Sequence, residues 1–80
     1  MAVPGEHHPA FEEYCETIFE LREDDLDVIQ ARIADRLRVS RPSVSEMIKR
    51  MSDESLIEVA GGKITLTVTG EELALQVLHQ

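Results

Sequence analysis

The chain has a single cysteine, Cys15, among 80 residues. That excludes an internal disulfide and reads as a reducing, cytoplasmic setting. No apolar run approaches the roughly 18 residues of a membrane span, which excludes a transmembrane helix. Residues 1–10 carry neither a basic n-region nor an apolar h-region, so no secretory signal is expected. Cations are scarce, with Lys+Arg 8 against Asp+Glu 16 and a formal net charge of −8. Taken whole, that balance argues against nucleic acid, because neutralising phosphates needs clustered Lys and Arg. Catalytic constellations are missing too: there is no Ser/His/Asp set and no Gly-rich phosphate loop. Paired carboxylates on the first helix lack any concave site that so short a chain would build around them. The chain is therefore not expected to be an enzyme. It also lacks internal repeats and low-complexity segments.

The mean charge conceals a segregation. Residues 28–50 hold Arg32, Arg36, Arg38, Arg41, Lys49 and Arg50 against Asp35 and Glu46, a net +4. The remaining residues hold Arg22 and Lys63 against fourteen acids, a net −12. Such asymmetry points either to an anion-binding face on an otherwise repelling body or to two solvated surfaces that merely differ.

Hydrophobic periodicity divides the chain. Residues 1–10, with Pro4, Gly5, His7, His8 and Pro9, lack it and read as a flexible arm on which the adjacent histidines are solvated. From Phe11 onward, Tyr14, Cys15, Ile18 and Leu21 mark one face of a helix, with Glu12, Glu13, Glu16 and Glu20 on the other. Glu23-Asp24-Asp25 forms an exposed turn. A second helix is predicted over 28–37, with Ile29, Ile33 and Leu37 inward and Asp27 as its cap. After Arg38-Val39-Ser40, a third helix starts with Ser40 as N-cap and Pro42 in its first turn, and runs through Val44, Ile48 and Met51. Met47 falls between its two faces. The period then becomes two. Residues 56–59 and 63–67 flank Gly61-Gly62 and predict a β-hairpin. A final helix is predicted from Thr69, with Thr69 and Glu72 as a capping box; it stops at Gln80 without a C-terminal signal.

This order gives a mainly α fold with a small β-hairpin, a winged helix-turn-helix. A recognition helix must begin with short side chains so that its backbone approaches base edges, and Ser40, Pro42, Ser43 and Ser45 meet that need. Arg32, Arg36, Arg41, Lys49 and Arg50 would pair with flanking phosphates. Lys63 stands at the wing tip. The expected function is sequence-specific binding of double-stranded DNA. The alternatives are a metal-independent winged-helix regulator and a protein-interaction winged helix whose acidic first helix docks a basic partner.

The run Ile33-Ala34-Asp35-Arg36-Leu37-Arg38-Val39-Ser40-Arg41-Pro42-Ser43-Val44-Ser45 resembles the helix-turn-helix of the diphtheria-toxin-repressor-like, metal-dependent transcriptional regulators. Glu12-Glu13-Tyr14-Cys15-Glu16-Thr17-Ile18-Phe19-Glu20-Leu21 is similar to that family's first helix. Leu66-Thr67-Val68-Thr69-Gly70 is similar to the L-T-x-x-G start of its post-wing helix. The resemblance covers about residues 11–80 in order. It implies a bacterial Mn(II)- or Fe(II)-dependent repressor that binds a palindromic operator as a homodimer. Ser40 and Pro42 match positions that approach bases, Pro42 through thymine methyls, while Ser43, Ser45 and Arg50 match backbone-contacting positions. Glu46 stands where iron-responsive members tend to carry Gln. A carboxylate accepts from cytosine but repels phosphate, which implies a shifted operator preference.

The resemblance also implies metal ligands on the first helix, where Glu13 and Glu16 take the matching positions. Carboxylates at i and i+3 share a helix face, and hard oxygen donors suit Mn(II) or Fe(II). The family's histidine ligand after the wing would fall one residue past Gln80, and His79 is out of register with it. The later ligands and the dimerisation helices have no counterpart here. The expected organisation is thus an arm (1–10), a winged helix-turn-helix (11–68) and the start of a helix (69–80) leading to an absent dimerisation domain. At most half a metal site falls within the chain.

Overall fold

A computed structural model of the chain describes residues 9–78, with side chains from 10 to 76. In chain order the elements are α1 (Pro9–Glu23), α2 (Gln30–Leu37), α3 (Arg41–Asp53), β1 (Ile57–Ala60), β2 (Lys63–Leu66) and α4 (Val68–Leu78). The elements follow the predicted order, and the fold is a winged helix-turn-helix.

The core is the sum of the periodic stripes. Phe11, Tyr14, Cys15, Ile18 and Leu21 of α1 cluster with Ile33 and Ala34 of α2, and with Val44, Ile48 and Met51 of α3. Leu56, just ahead of the hairpin, and Ile57 and Ile64 within it join the same cluster, with Leu73 and Ala74 of α4 alongside. Helix α1 packs against α2, α4 and β2, while α3 packs against α2 and β1. Met47, ambiguous by period, is half-buried against this core. Cys15 is fully buried, as its place on the apolar stripe implied.

Helix α1 begins at Pro9 rather than Phe11. A proline in the first turn lacks only an N–H that has no intrahelical partner, so the helix runs through it. The rest of the expected arm, including His7 and His8, lies outside the described residues, as does His79.

Helix α2 corrects two expectations. It starts at Gln30, and its N-cap is the extended Ile29 with no side-chain cap bond. Asp27 does not cap it. Val28 is drawn into the core, and its carbonyl accepts from the Ile64 N–H at 2.8 Å, which ties this segment to the wing ahead of the helix. Asp27 instead faces Lys63, Oδ1 to Nζ 3.6 Å.

Helix α3 starts as predicted. Ser40 is extended (φ −73°, ψ 154°), and its Oγ accepts from the Ser43 N–H at 3.2 Å, with Pro42 in the first turn. The hairpin pairs Ile57 with Leu66 and Ala60 with Lys63. Gly61 and Gly62, at φ +58° and +79°, make the two-residue turn that needs positive φ at both positions.

Helix α4 also departs from expectation. It begins at Val68, and the cap is Thr67, not Thr69. The Thr67 hydroxyl donates to the Ser55 carbonyl at 2.6 Å and accepts from the Gly70 N–H at 3.2 Å. Its own N–H donates to the Leu56 carbonyl at 3.0 Å. Two of these bonds run to the α3–β1 corner and the third caps α4, so Thr67 is locked in place and Thr69 lies inside the helix.

Candidate nucleic-acid interface

Helices α2 and α3 are joined by three residues, 38–40. Helix α2 ends on Arg38 in the left-handed conformation, with the Val39 N–H returning to the Ala34 carbonyl at 3.1 Å. That reversal leads directly into the Ser40 cap, so the start of α3 is held by bonds on both sides of the turn.

Arg41, Pro42, Ser43, Ser45, Glu46, Lys49 and Arg50 are all exposed, while Val44, Ile48 and Met51 face inward. The Ser40 hydroxyl proton is committed to Ser43 Oγ at 2.9 Å. Ser43 keeps its own proton to donate outward. Ser43, Glu46, Met47 and Arg50 line one shallow depression along α3. Helical spacing brings them together, since i, i+3, i+4 and i+7 lie on one stripe.

Among the described residues, Arg32, Arg38, Arg41, Lys49 and Arg50 make no ion pair. Five unneutralised cations therefore stand on α2, α3 and the turn between them. Two expected cations differ. Arg36 lies between Glu20 (3.8 Å) and Asp24 (3.7 Å) and ties α2 to α1, and Lys63 faces Asp27 at the wing. These pairs are exposed and individually weak, worth about 0–1 kcal/mol, so a phosphate would compete for either cation. Arg38 contributes to the local charge but is not singled out by sequence reasoning as a site residue. The interruption of both helical patterns at 38–40 is the signal that marks it.

Away from this face the surface is acidic. Arg22 sits over the Phe19 ring at 5.0 Å and bonds Glu71 at 3.4 Å, joining α1 to α4. Of the two metal-ligand candidates, Glu13 is exposed and Glu16 half-buried. Among the described residues no group of three or more His, Cys, Asp or Glu side chains is arranged to hold a metal ion. Cys15 between them is fully buried in the core, where burial, and secondarily the Glu12 charge, pushes its thiol up to about 12. Burial, with a lesser contribution from Glu13, likewise raises Tyr14. Among the described residues no helix is long and apolar enough to cross a membrane.

Comparison with known proteins agrees with this geometry. Residues 8–63 match the family model "Iron dependent repressor, N-terminal DNA binding domain". The iron-dependent repressor IdeR of Mycobacterium leprae is 39% identical over 70 residues, which are 86% of this chain and 30% of that protein. The diphtheria toxin repressor of Corynebacterium diphtheriae is 40% identical over 70 residues, 86% of this chain and 31% of that protein. The structure of the manganese regulator SloR superimposes with a TM-score of 0.77 at 34% identity, over 90% of this chain and 34% of that one. A MepR variant from an S. aureus clinical isolate shares the fold, with a TM-score of 0.74 at 19% identity, over 96% of this chain and 64% of that one. The chain spans about a third of the length of the curated relatives it matches. The family is one of DNA-binding domains and not of enzymes. The family model spans α1, the helix-turn-helix and the first strand of the wing, and the chain belongs to the iron-dependent repressor family, as its N-terminal DNA-binding domain.

Proposed function

We propose that this chain is the operator-binding domain of a bacterial, cytoplasmic, metal-dependent (Mn(II)/Fe(II)) transcriptional repressor. The observation that carries the reading is the helix-turn-helix itself, where five exposed cations without ion-pair partners among the described residues are spread over α2, the turn and α3, and α3 starts with short side chains. In this reading α3 enters the major groove. Ser40, Pro42, Ser43 and Ser45 allow its first turns to approach base edges, and Glu46 accepts from a base amino group. Arg32, Arg41, Lys49 and Arg50 hold phosphates on either side. Arg36 and Lys63 join them by exchanging weak carboxylate partners for phosphate.

Metal dependence is supported by the names of the relatives, an iron-dependent repressor and a manganese regulator. Glu13 and Glu16 would supply two oxygen donors, with the remaining ligands contributed by residues beyond those described. Helix α4 closes the core through Leu73 and Ala74, and residues 69–80 would also lead from the 11–68 unit towards a dimerisation region of the longer protein. Two recognition helices set by such a dimer would match a palindromic operator.

The test is fluorescence anisotropy of the 80-residue chain with a labelled duplex across a salt series. Binding should weaken with salt by about 0.9 in the log–log slope for each phosphate contact. Arg50→Ala should remove about one such contact, and Arg41→Glu should abolish binding near 0.1 M salt. No binding by the unmodified chain at about 50 mM salt would overturn the reading.

A further inference from the structure

Three helices are followed by a residue in the left-handed conformation that is not glycine: Asp25, Arg38 and Ser55, at φ 58–59°. In each case the next N–H returns five residues, Leu26 to Leu21, Val39 to Ala34 and Leu56 to Met51. This conformation crowds Cβ against the backbone; glycine escapes the cost, and Asp tolerates it through its short polar side chain. Arg38 has neither advantage. It occupies the turn of the helix-turn-helix, where glycine is common.

Three observations separate Arg38 from the other two residues. It lies on the cationic face, within three residues of Arg41 and two of Ser40, the cap of α3. It is the one cation of the three, exposed as the other two are, and no carboxylate among the described residues stands within ion-pairing distance even though Asp35 is one turn earlier on the same helix. Arg36, two residues before it, is already held by Glu20 and Asp24. A long cation in a costly backbone position with no ion-pair partner within the described chain is accounted for by a partner outside it.

We propose that Arg38 is a phosphate-binding residue, which gives the turn ahead of α3 its own contact with the DNA backbone at the expense of helix-end stability. The proposal rests on the DNA-binding reading above. The contact is to phosphate rather than to a base, so it is independent of sequence.

The test uses the 80-residue chain, a labelled random-sequence duplex of about 30 base pairs and a salt series, with thermal unfolding in parallel. Arg38→Gly should lower the log–log salt slope by about 0.9 and weaken binding about eight-fold at 0.1 M salt. The same substitution should raise Tm by about 3 °C, since relief of the left-handed strain outweighs the added freedom of the unfolded chain. Arg38→Gln should show the same loss of slope without the gain in Tm, and Arg38→Lys should keep the slope. If the unmodified chain binds and both charge-removing variants keep its slope and affinity, the proposal is wrong. If the unmodified chain itself gives a flat curve down to about 50 mM salt, the DNA-binding reading falls and this contact falls with it.

Discussion

Replacing Gly70 by alanine should destabilise the domain, although the site is helical and the general preference runs the other way. In the interior of a helix, Gly to Ala gains about 1 kcal/mol. At Gly70, however, an added Cβ would lie 2.0 Å from the Leu56 carbonyl oxygen, 3.0 Å from its carbon and 3.1 Å from Leu66 Cδ2. The obstructing atom is backbone, so no side-chain rotation relieves the contact; α4 must move away from the α3–β1 corner. That motion pulls on the bond from the Thr67 N–H to the same Leu56 carbonyl, 3.0 Å, and on the Thr67 hydroxyl bond to Ser55. Overpacking costs about 1–3 kcal/mol and the strained hydrogen bond about 1 more, leaving a net loss of about 2 after the helix preference is subtracted. A chain of this length is stable by roughly 4–12 kcal/mol. The expected fall in Tm is therefore about 8–16 °C. Thermal and urea unfolding followed by far-UV circular dichroism measure it directly. A Gly70→Ala chain as stable as the original, or more so, would refute the steric argument. The same reasoning explains the last residue of Leu66-Thr67-Val68-Thr69-Gly70: Thr67 caps α4, and Gly70 lets it approach the corner.

Ser40→Ala should cost about 1 kcal/mol by removing the acceptor for the Ser43 N–H, read as a lower urea midpoint. Ser40→Asp should keep that cap and its stability but weaken duplex binding through repulsion, so an aspartate variant as unstable as the alanine one contradicts the capping role. The buried Cys15 thiol, raised from 9.0 to about 12, makes stability depend on alkaline pH. Above pH 9 the unfolded chain releases this proton while the folded chain keeps it. Stability should therefore fall by up to about 1.4 kcal/mol per pH unit from pH 9 towards 12. Tyr14, also raised from 10.0, adds to the loss at still higher pH. Urea midpoints between about pH 8 and 10 should drop for the natural chain and stay flatter for Cys15→Ala; equal slopes would count against the assignment.

Short-range physics made much of this domain legible from its residues alone. The Ser40 cap with Pro42 in the first turn, the Gly61-Gly62 hairpin and the three- and four-residue stripes of α1, α2 and α3 depend on neighbours within one turn. The Ser40 cap, the hairpin turn and the stripes of α1 and α3 are found where they were expected, whereas in α2 Ile33 and Leu37 reach the core and Ile29 is the extended residue ahead of the helix. The exposed residues of α3 followed from the same periodicity, because burying Val44, Ile48 and Met51 leaves Ser43, Ser45, Glu46, Lys49 and Arg50 outside.

The features that were not legible involve partners far apart in the chain. Asp27 looked like a cap until Val28 was pulled into the core and bonded to Ile64. Thr69 looked like the start of α4 until Thr67 was locked to Ser55 and Leu56. Arg36 and Lys63 read as free cations until Glu20, Asp24 and Asp27 came beside them. Local rules rank the possible caps and charges, but they do not contain these distances. The neutralisation of a charge, or the occupation of a carbonyl, is settled by elements that meet only when the core closes. Residue order alone was thus enough for the elements, their succession and the inward faces of α1 and α3. Packing of those elements against one another set where the helices begin, which arginines remain free and why residue 70 has no side chain.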